Sequence, residues 1–314
     1  MTNNRRCAWP DCLALAALLL EAVLASQASA FGQGYREPAS NRETGVSIDQ
    51  YIGSWDKSEP RSTHGTLIER SILRPGDPYT PGPPGAVLEF HKNFSLATLA
   101  AGGRTPPIQH VEEEILYIEA GKGRIESGEN FWPLEAGYGV LIPPQTEHVL
   151  ANDDQQEMTL LVLTDLLEPG ATPGKTILVR DSAQLPYAEP SAHWNYFAKL
   201  LFGPKDGINP VSKVLVVDMF PMTIGAPHPH IPHWEEVWCK LPPRSSYLLL
   251  GSEVREQRPN EAFVVPPNGK TVHSVVNLSE RPTSWFYFSH YTVKVEYPDW
   301  VYNVPSVPAQ KIRK

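Results

Sequence analysis

Two stretches of this 314-residue chain repeat one arrangement of glycine, histidine, glutamate and proline about 125 residues apart. In the first, Gly102 is followed by Ile108, His110, Glu114 and Gly121, and then by Gly137, Pro143, His148 and Asn152. The second runs through His228, His230, Glu235 and Glu236 to Pro266, Gly269, His273 and Asn277. His110 stands 123 positions before His233, and His148 stands 125 before His273. A spacing that holds at two separate landmarks is the mark of one folding unit duplicated in tandem. Short apolar runs at 86–90, 115–118, 138–142 and 158–163 recur at 213–217, 247–250, 262–265 and 284–288. Their length and β-branched content predict strands.

Side chains alternate along a strand, so residues 108, 110, 112 and 114 share a face if no bulge intervenes. That presents His110 and Glu114 together, with Glu112 as a further carboxylate. His148, from a strand reached through the Pro143-Pro144 turn, completes a two-histidine, one-carboxylate set with open positions. Such a set suits non-haem iron, manganese or another divalent ion. In the second copy His228, His230, Glu235 and His273 make a three-histidine, one-carboxylate set. Two alignments compete there. Residues 231–236 also read like 108–113, which sets His233 and Glu236 in the ligand positions and leaves His228 and His230 aside. Glu236 moreover shares the parity of His230 and is an alternative to Glu235.

These residues resemble the two motifs of the cupin superfamily, G-x5-H-x-H-x3-4-E-x6-G and G-x5-P-x-G-x2-H-x3-N. The first copy keeps both spacings, with Ile108 in place of the first histidine and Gln145 in place of a glycine. The second keeps H-x-H, has Pro242 and Asn260 where glycines are expected, and carries two extra residues between Pro266 and His273. The resemblance implies an all-β bicupin: two tandem cupin-type (double-stranded β-helix, jelly-roll) barrels with a short helical linker, expected over 191–202. It implies a divalent transition metal, iron or manganese, held by His110, Glu114 and His148 and by His228, His230, Glu235 and His273. Because Ile108 removes a ligand, the second site is expected to bind metal more tightly.

The superfamily hosts many chemistries, so the resemblance constrains fold more than function. The expected activity is a metal-dependent oxygenase on a small organic, aromatic-compatible substrate, with Glu114 and Glu235 as ligands that also shuttle a proton. Manganese-dependent decarboxylation of a small dicarboxylate and non-catalytic binding of a small molecule or sugar are the alternatives. Trp234, Trp238, Tyr117 and Phe288 offer an aromatic lining, or simply core.

Arg5 and Arg6, the apolar run from Leu13 to Ala25 and Ala28-Ser29-Ala30 read as a cleaved secretory signal over 1–30, broken only by Glu21. The run is too short for a stable membrane anchor, and the expected location is secreted or periplasmic. An arm at 31–64, barrels at 65–165 and 206–293, a linker at 166–205 and a tail at 294–314 follow from the proline and glycine punctuation. The aromatic tail is expected to pack on the other domain or on a second subunit of a homo-oligomer. Removing the signal leaves the formal charge at −8, since it carries two side chains of each sign. With no basic stripe, nucleic acid is excluded as a partner. Cys239 is the one cysteine beyond the signal, so packing rather than disulfides stabilises the fold.

Overall fold

The computed structural model describes residues 47–190 and 195–312, so the expected signal segment lies outside the described residues. Two β-barrels are each made of one large and one small antiparallel sheet. In the first, the large sheet runs Leu178–Asp181, Tyr138–Ile142, Glu113–Ala120, Met158–Asp165, Asn93–Leu99, Leu67–Pro75 and Arg61–Thr63, with Ala86–Leu88 beside Leu67–Pro75. The small sheet runs Val149–Asn152, Lys122–Ser127, Asn130–Glu135 and Gln310–Lys311. The second barrel repeats the plan. Its large sheet is Ile52–Ser54, Glu261–Val264, Glu235–Lys240, Thr283–His290, Ser212–Met219, Tyr196–Phe202 and Tyr187–Pro190, and its small sheet is Thr223–Ile224, His273–Asn277, Ser246–Leu250 and Glu253–Gln257.

The large sheets are hydrophobic on both faces because each face has its own partner. Leu116, Ile118, Leu160 and Val162 fill the first barrel with Ile125, Trp132 and Leu134. Their neighbours Ile115, Tyr117, Leu161 and Leu163 join a separate core shared with the second barrel. There Phe94 stacks on Phe286 at 5.9 Å and Tyr117 meets Phe286 at 5.5 Å. Near-continuous apolar strands are what burial on both faces requires. Phe288 packs on Phe94 and His91 in the same layer, so Tyr117 and Phe288 belong to the inter-barrel core and not to a pocket.

The barrels also exchange strands. Ile52–Ser54, which precedes the first barrel, pairs with Glu261–Val264 of the second. Leu178–Asp181, which precedes the second, pairs with Tyr138–Ile142 of the first. Each exchange covers an edge that would otherwise expose unpaired backbone groups. The tail does the same for the small sheet of the first barrel, where Gln310–Lys311 pairs with Asn130–Glu135.

The helix expected over 191–202 is not there among the described residues. From Tyr196 the chain is a strand, Tyr196–Phe202, paired along Ser212–Met219. Tyr196, Ala198 and Leu200 are buried on one face while Phe197 and Lys199 are half-buried on the other, a period of two that cross-strand pairing imposes over local propensity. Among the described residues of the linker, helical structure is confined to single turns at Ser182–Gln184 and Pro204–Asp206. Two of the three non-glycine residues at motif glycines, Gln145 and Asn260, keep the backbone that glycine would supply. Gln145 has φ 60° and Asn260 φ 61°, beside φ 90° at Gly137, in the left-handed region that glycine enters without strain.

Candidate metal centres

In the second barrel the chain enters the mouth through an extended segment. His228 bridges backbone to backbone with His273, at 3.3 and 3.1 Å. His228, His230 and His273 converge, with one nitrogen of each within 4.8 Å of the others. The Nδ1 of His228 contacts the Ala226 carbonyl at 2.8 Å, which turns Nε2 inward. Glu236 completes the group: its Oε2 lies 2.9 Å from His230 Nε2 and its Oε1 3.1 Å from His273 Nε2. Trp238 Nε1 and Tyr287 Oη donate to the two carboxylate oxygens, each at 2.7 Å. Burial favours the neutral acid, but the contacts with His230 and His273 hold Glu236 well below the usual carboxylate range. Burial lowers the pKa of His273, favouring the neutral, ligand-competent imidazole.

Glu235 is not in this group. Strand residues alternate, so Glu235 points out of the barrel into the inter-barrel layer. Its Oε2 accepts from the backbone N–H groups of Glu89 at 2.5 Å and Phe90 at 3.0 Å. Its Oε1 accepts from the backbone of His91 at 3.2 Å and meets His91 Nδ1 at 2.5 Å. The place beside the histidines expected of Glu235 is therefore taken by Glu236. His233 is also off the site, with a left-handed φ of 67° and its Nδ1 2.8 Å from Tyr79 Oη. The second-barrel equivalent of His110 is thus His230, which has five residues before Glu236 where His110 has three before Glu114.

In the first barrel Ile108 bridges His148 as His228 bridges His273, at 3.0 and 2.9 Å. His148 Nδ1 contacts the Thr146 carbonyl at 2.9 Å, and its Nε2 lies 3.7 Å from Glu114 Oε2. His110 Nε2 lies 3.9 Å from Glu114 Oε1. Burial lowers the pKa of His148. Glu112 precedes the strand, half-buried and outside the group. A histidine that no motif indicates enters instead: His64 Nε2 is 3.0 Å from Glu114 Oε1, and its Nδ1 is 3.4 Å from Glu69 Oε1. Burial disfavours the His64 cation, but Glu114 and Glu69 outweigh it and push its pKa up to about 9.

Residues 95–164 match the family model described as the cupin domain. Comparison with curated protein sequences finds no match. Among solved structures, similar folds include a putative glyoxylate-induced protein from Pseudomonas aeruginosa, with a TM-score of 0.59 and 13% identity over 74% of this chain and 83% of that one. An oxalate decarboxylase variant from Bacillus subtilis gives 0.58 and 11% over 79% of each chain. The chain has the two-barrel bicupin fold. A salicylate 1,2-dioxygenase from Pseudaminobacter salicylatoxidans, at 0.53 and 13% identity over 67% of this bicupin and 74% of that chain, has the same fold with a different chemistry in its name. At such identities the likeness is one of fold.

Both donor sets of the bicupin fit a divalent ion. Buried polar atoms ordinarily have partners, yet His110 Nε2 and Glu114 Oε2 are buried without a hydrogen bond. Two donors each about 2.1 Å from an ion and at right angles are about 3.0 Å apart, close to the 2.9 and 3.1 Å contacts around Glu236. Mixed imidazole and carboxylate donors suit iron or manganese.

Beside the second set lies a cavity of about 220 Å³. His230 and Glu236 reach it at one wall, and Trp234, Trp238, Tyr287 and Tyr291 line it. Lys213 also lines it, with Nζ 5.2 Å from the Tyr291 ring centre and 5.6 Å from that of Tyr287.

Proposed function

We propose that this bicupin is an exported, metal-dependent oxygenase acting on a small, one-ring organic substrate in the second barrel. The observation that carries the reading is the opening of a three-histidine, one-glutamate set directly onto an aromatic-walled cavity of about 220 Å³. An apolar cavity of about 150 Å³ holds benzene, so this one accommodates a single ring with a polar substituent. A bound iron or manganese ion would supply Lewis acidity and adjacent open positions for substrate and dioxygen. His228, His230, Glu236 and His273 would hold it.

The protein's own groups do the rest. Trp234 and Trp238 exclude water and stack on a flat substrate. The Lys213 ammonium orients a carboxylate or phenolate through a charge-assisted hydrogen bond. Tyr287 donates to Glu236 and contacts Tyr291 Oη at 2.6 Å. Burial raises the pKa of both phenols, so they stay protonated, fix the carboxylate and can pass a proton toward the cavity. Export is supported by the N-terminal pattern at residues 1–30.

Lys213 also favours a second reading, manganese-dependent decarboxylation of a small dicarboxylate. A cationic side chain and a metal in one small cavity suit a dianion. The test is metal analysis of purified mature protein, followed by oxygen uptake with a panel of one-ring carboxylates and phenols after iron or manganese loading. Stoichiometric metal with substrate-dependent oxygen uptake is expected. Release of CO2 from a dicarboxylate without net oxygen consumption moves the assignment to the second reading. Absence of stoichiometric transition metal overturns both and leaves a binding protein.

A further inference from the structure

Ile108 occupies the backbone register of His228, paired to His148 as His228 is paired to His273. Its side chain has no donor atom. The space a histidine would fill is reached by His64, from the turn between Arg61–Thr63 and Leu67–Pro75. The His64 ring lies 4.8 Å from that of His110, matching the 4.8 Å between His228 and His230. The imidazole is nearly buried, at 7% side-chain exposure.

The turn is built to hold it there. His64 has φ 49° and Gly65 φ 74°, a strained choice for the non-glycine residue that persists only where its surroundings fix it. A Cβ on Gly65 would lie 2.7 Å from the ring of Pro106, so the turn sits tightly against the chain that leads to Ile108. Glu69, buried behind His64, accepts from Thr63 and, at 2.8 Å, from Ser95. A simple buried ion pair would satisfy its own atoms. Here His110 Nε2 and Glu114 Oε2 are buried without a hydrogen bond.

We infer that His64 is a metal ligand of the first barrel, replacing the histidine lost at Ile108, and that Glu69 orients its ring. The first set then has the composition of the second, three histidines and one glutamate, with His148 set wider: its ring lies 6.4 Å from those of His64 and His110, where His273 lies 4.6 and 4.7 Å from those of His228 and His230. Metal bound there also ties the hairpin 61–75 to the barrel. The assignment is independent of the reaction proposed for the second barrel.

The test uses the full mature chain carrying His230→Ala to disable the second set, with manganese as the probe. Electron-spin-echo spectroscopy of the bound ion is expected to show three coordinated histidine nitrogens, and two would overturn the assignment. In that background His64→Ala should weaken manganese binding at least about tenfold, and adding Ile108→His should restore it. Glu69→Gln, which keeps His64, should weaken binding about tenfold by loosening the ring. A folded His64→Ala chain with unchanged affinity overturns the assignment. If that variant does not fold, the nitrogen count decides.

Discussion

Glu235→Gln and Glu236→Gln differ by one chain position and are expected to fail in opposite ways. Glu235 takes four donors, two on each oxygen: Glu89 and Phe90 backbone N–H on Oε2, and the His91 backbone and ring on Oε1. Glutamine keeps one oxygen and turns an NH2 group toward two of those donors. Breaking such a buried charged pair costs about 3–5 kcal/mol, and at about 2–4 °C per kcal/mol for a chain of this size the melting temperature should fall by about 6–20 °C. Metal in the second barrel should be retained. Glu236→Gln keeps an oxygen for Trp238 or Tyr287 but loses the negative charge between His230 and His273, so metal affinity should drop at least about tenfold while the fold persists. Thermal denaturation by circular dichroism and metal content by mass spectrometry read the two effects separately. A Glu235→Gln protein that melts with the wild type, or that loses second-barrel metal while Glu236→Gln keeps it, would refute the assignment of the two faces.

Glu119 has a buried Oε1 without a partner, and burial, opposed by Asn260 and Lys240, pushes its pKa up to about 7 from 4.5. Its raised folded pKa means that its stability contribution is intact below pH 4.5 and is lost as pH rises to about 7. Glu119→Gln should therefore match the wild type at pH 4 and exceed it by roughly 3 kcal/mol above pH 7 in urea unfolding; a difference that does not vary with pH would contradict this. Lys213→Met should raise KM for a carboxylate-bearing substrate roughly tenfold with little change in kcat, and an unchanged KM would remove Lys213 from substrate binding. Protein exported by a secreting host should begin at Phe31 on N-terminal sequencing, and Met1 in the exported fraction would end the cleaved-signal proposal.

The amino-acid sequence by itself determined the duplication, the strand-rich architecture and the nucleus of each site. His110, Glu114 and His148, and His228, His230 and His273, were legible because candidate donors on neighbouring extended segments leave a local spacing. The choice between Glu235 and Glu236 was not, because it depends on which strand face looks into the barrel, and both faces of a large sheet are buried here. Only the tertiary structure decided that Glu235 serves the inter-barrel layer. It also decided that 196–202 is a strand, since the pairing with Ser212–Met219 is made across a loop and not within the segment. His64 left no spacing signal at all. It lies 46 positions before His110, and a contact of that separation is fixed by how the hairpin folds over the barrel mouth, not by any periodicity along the chain.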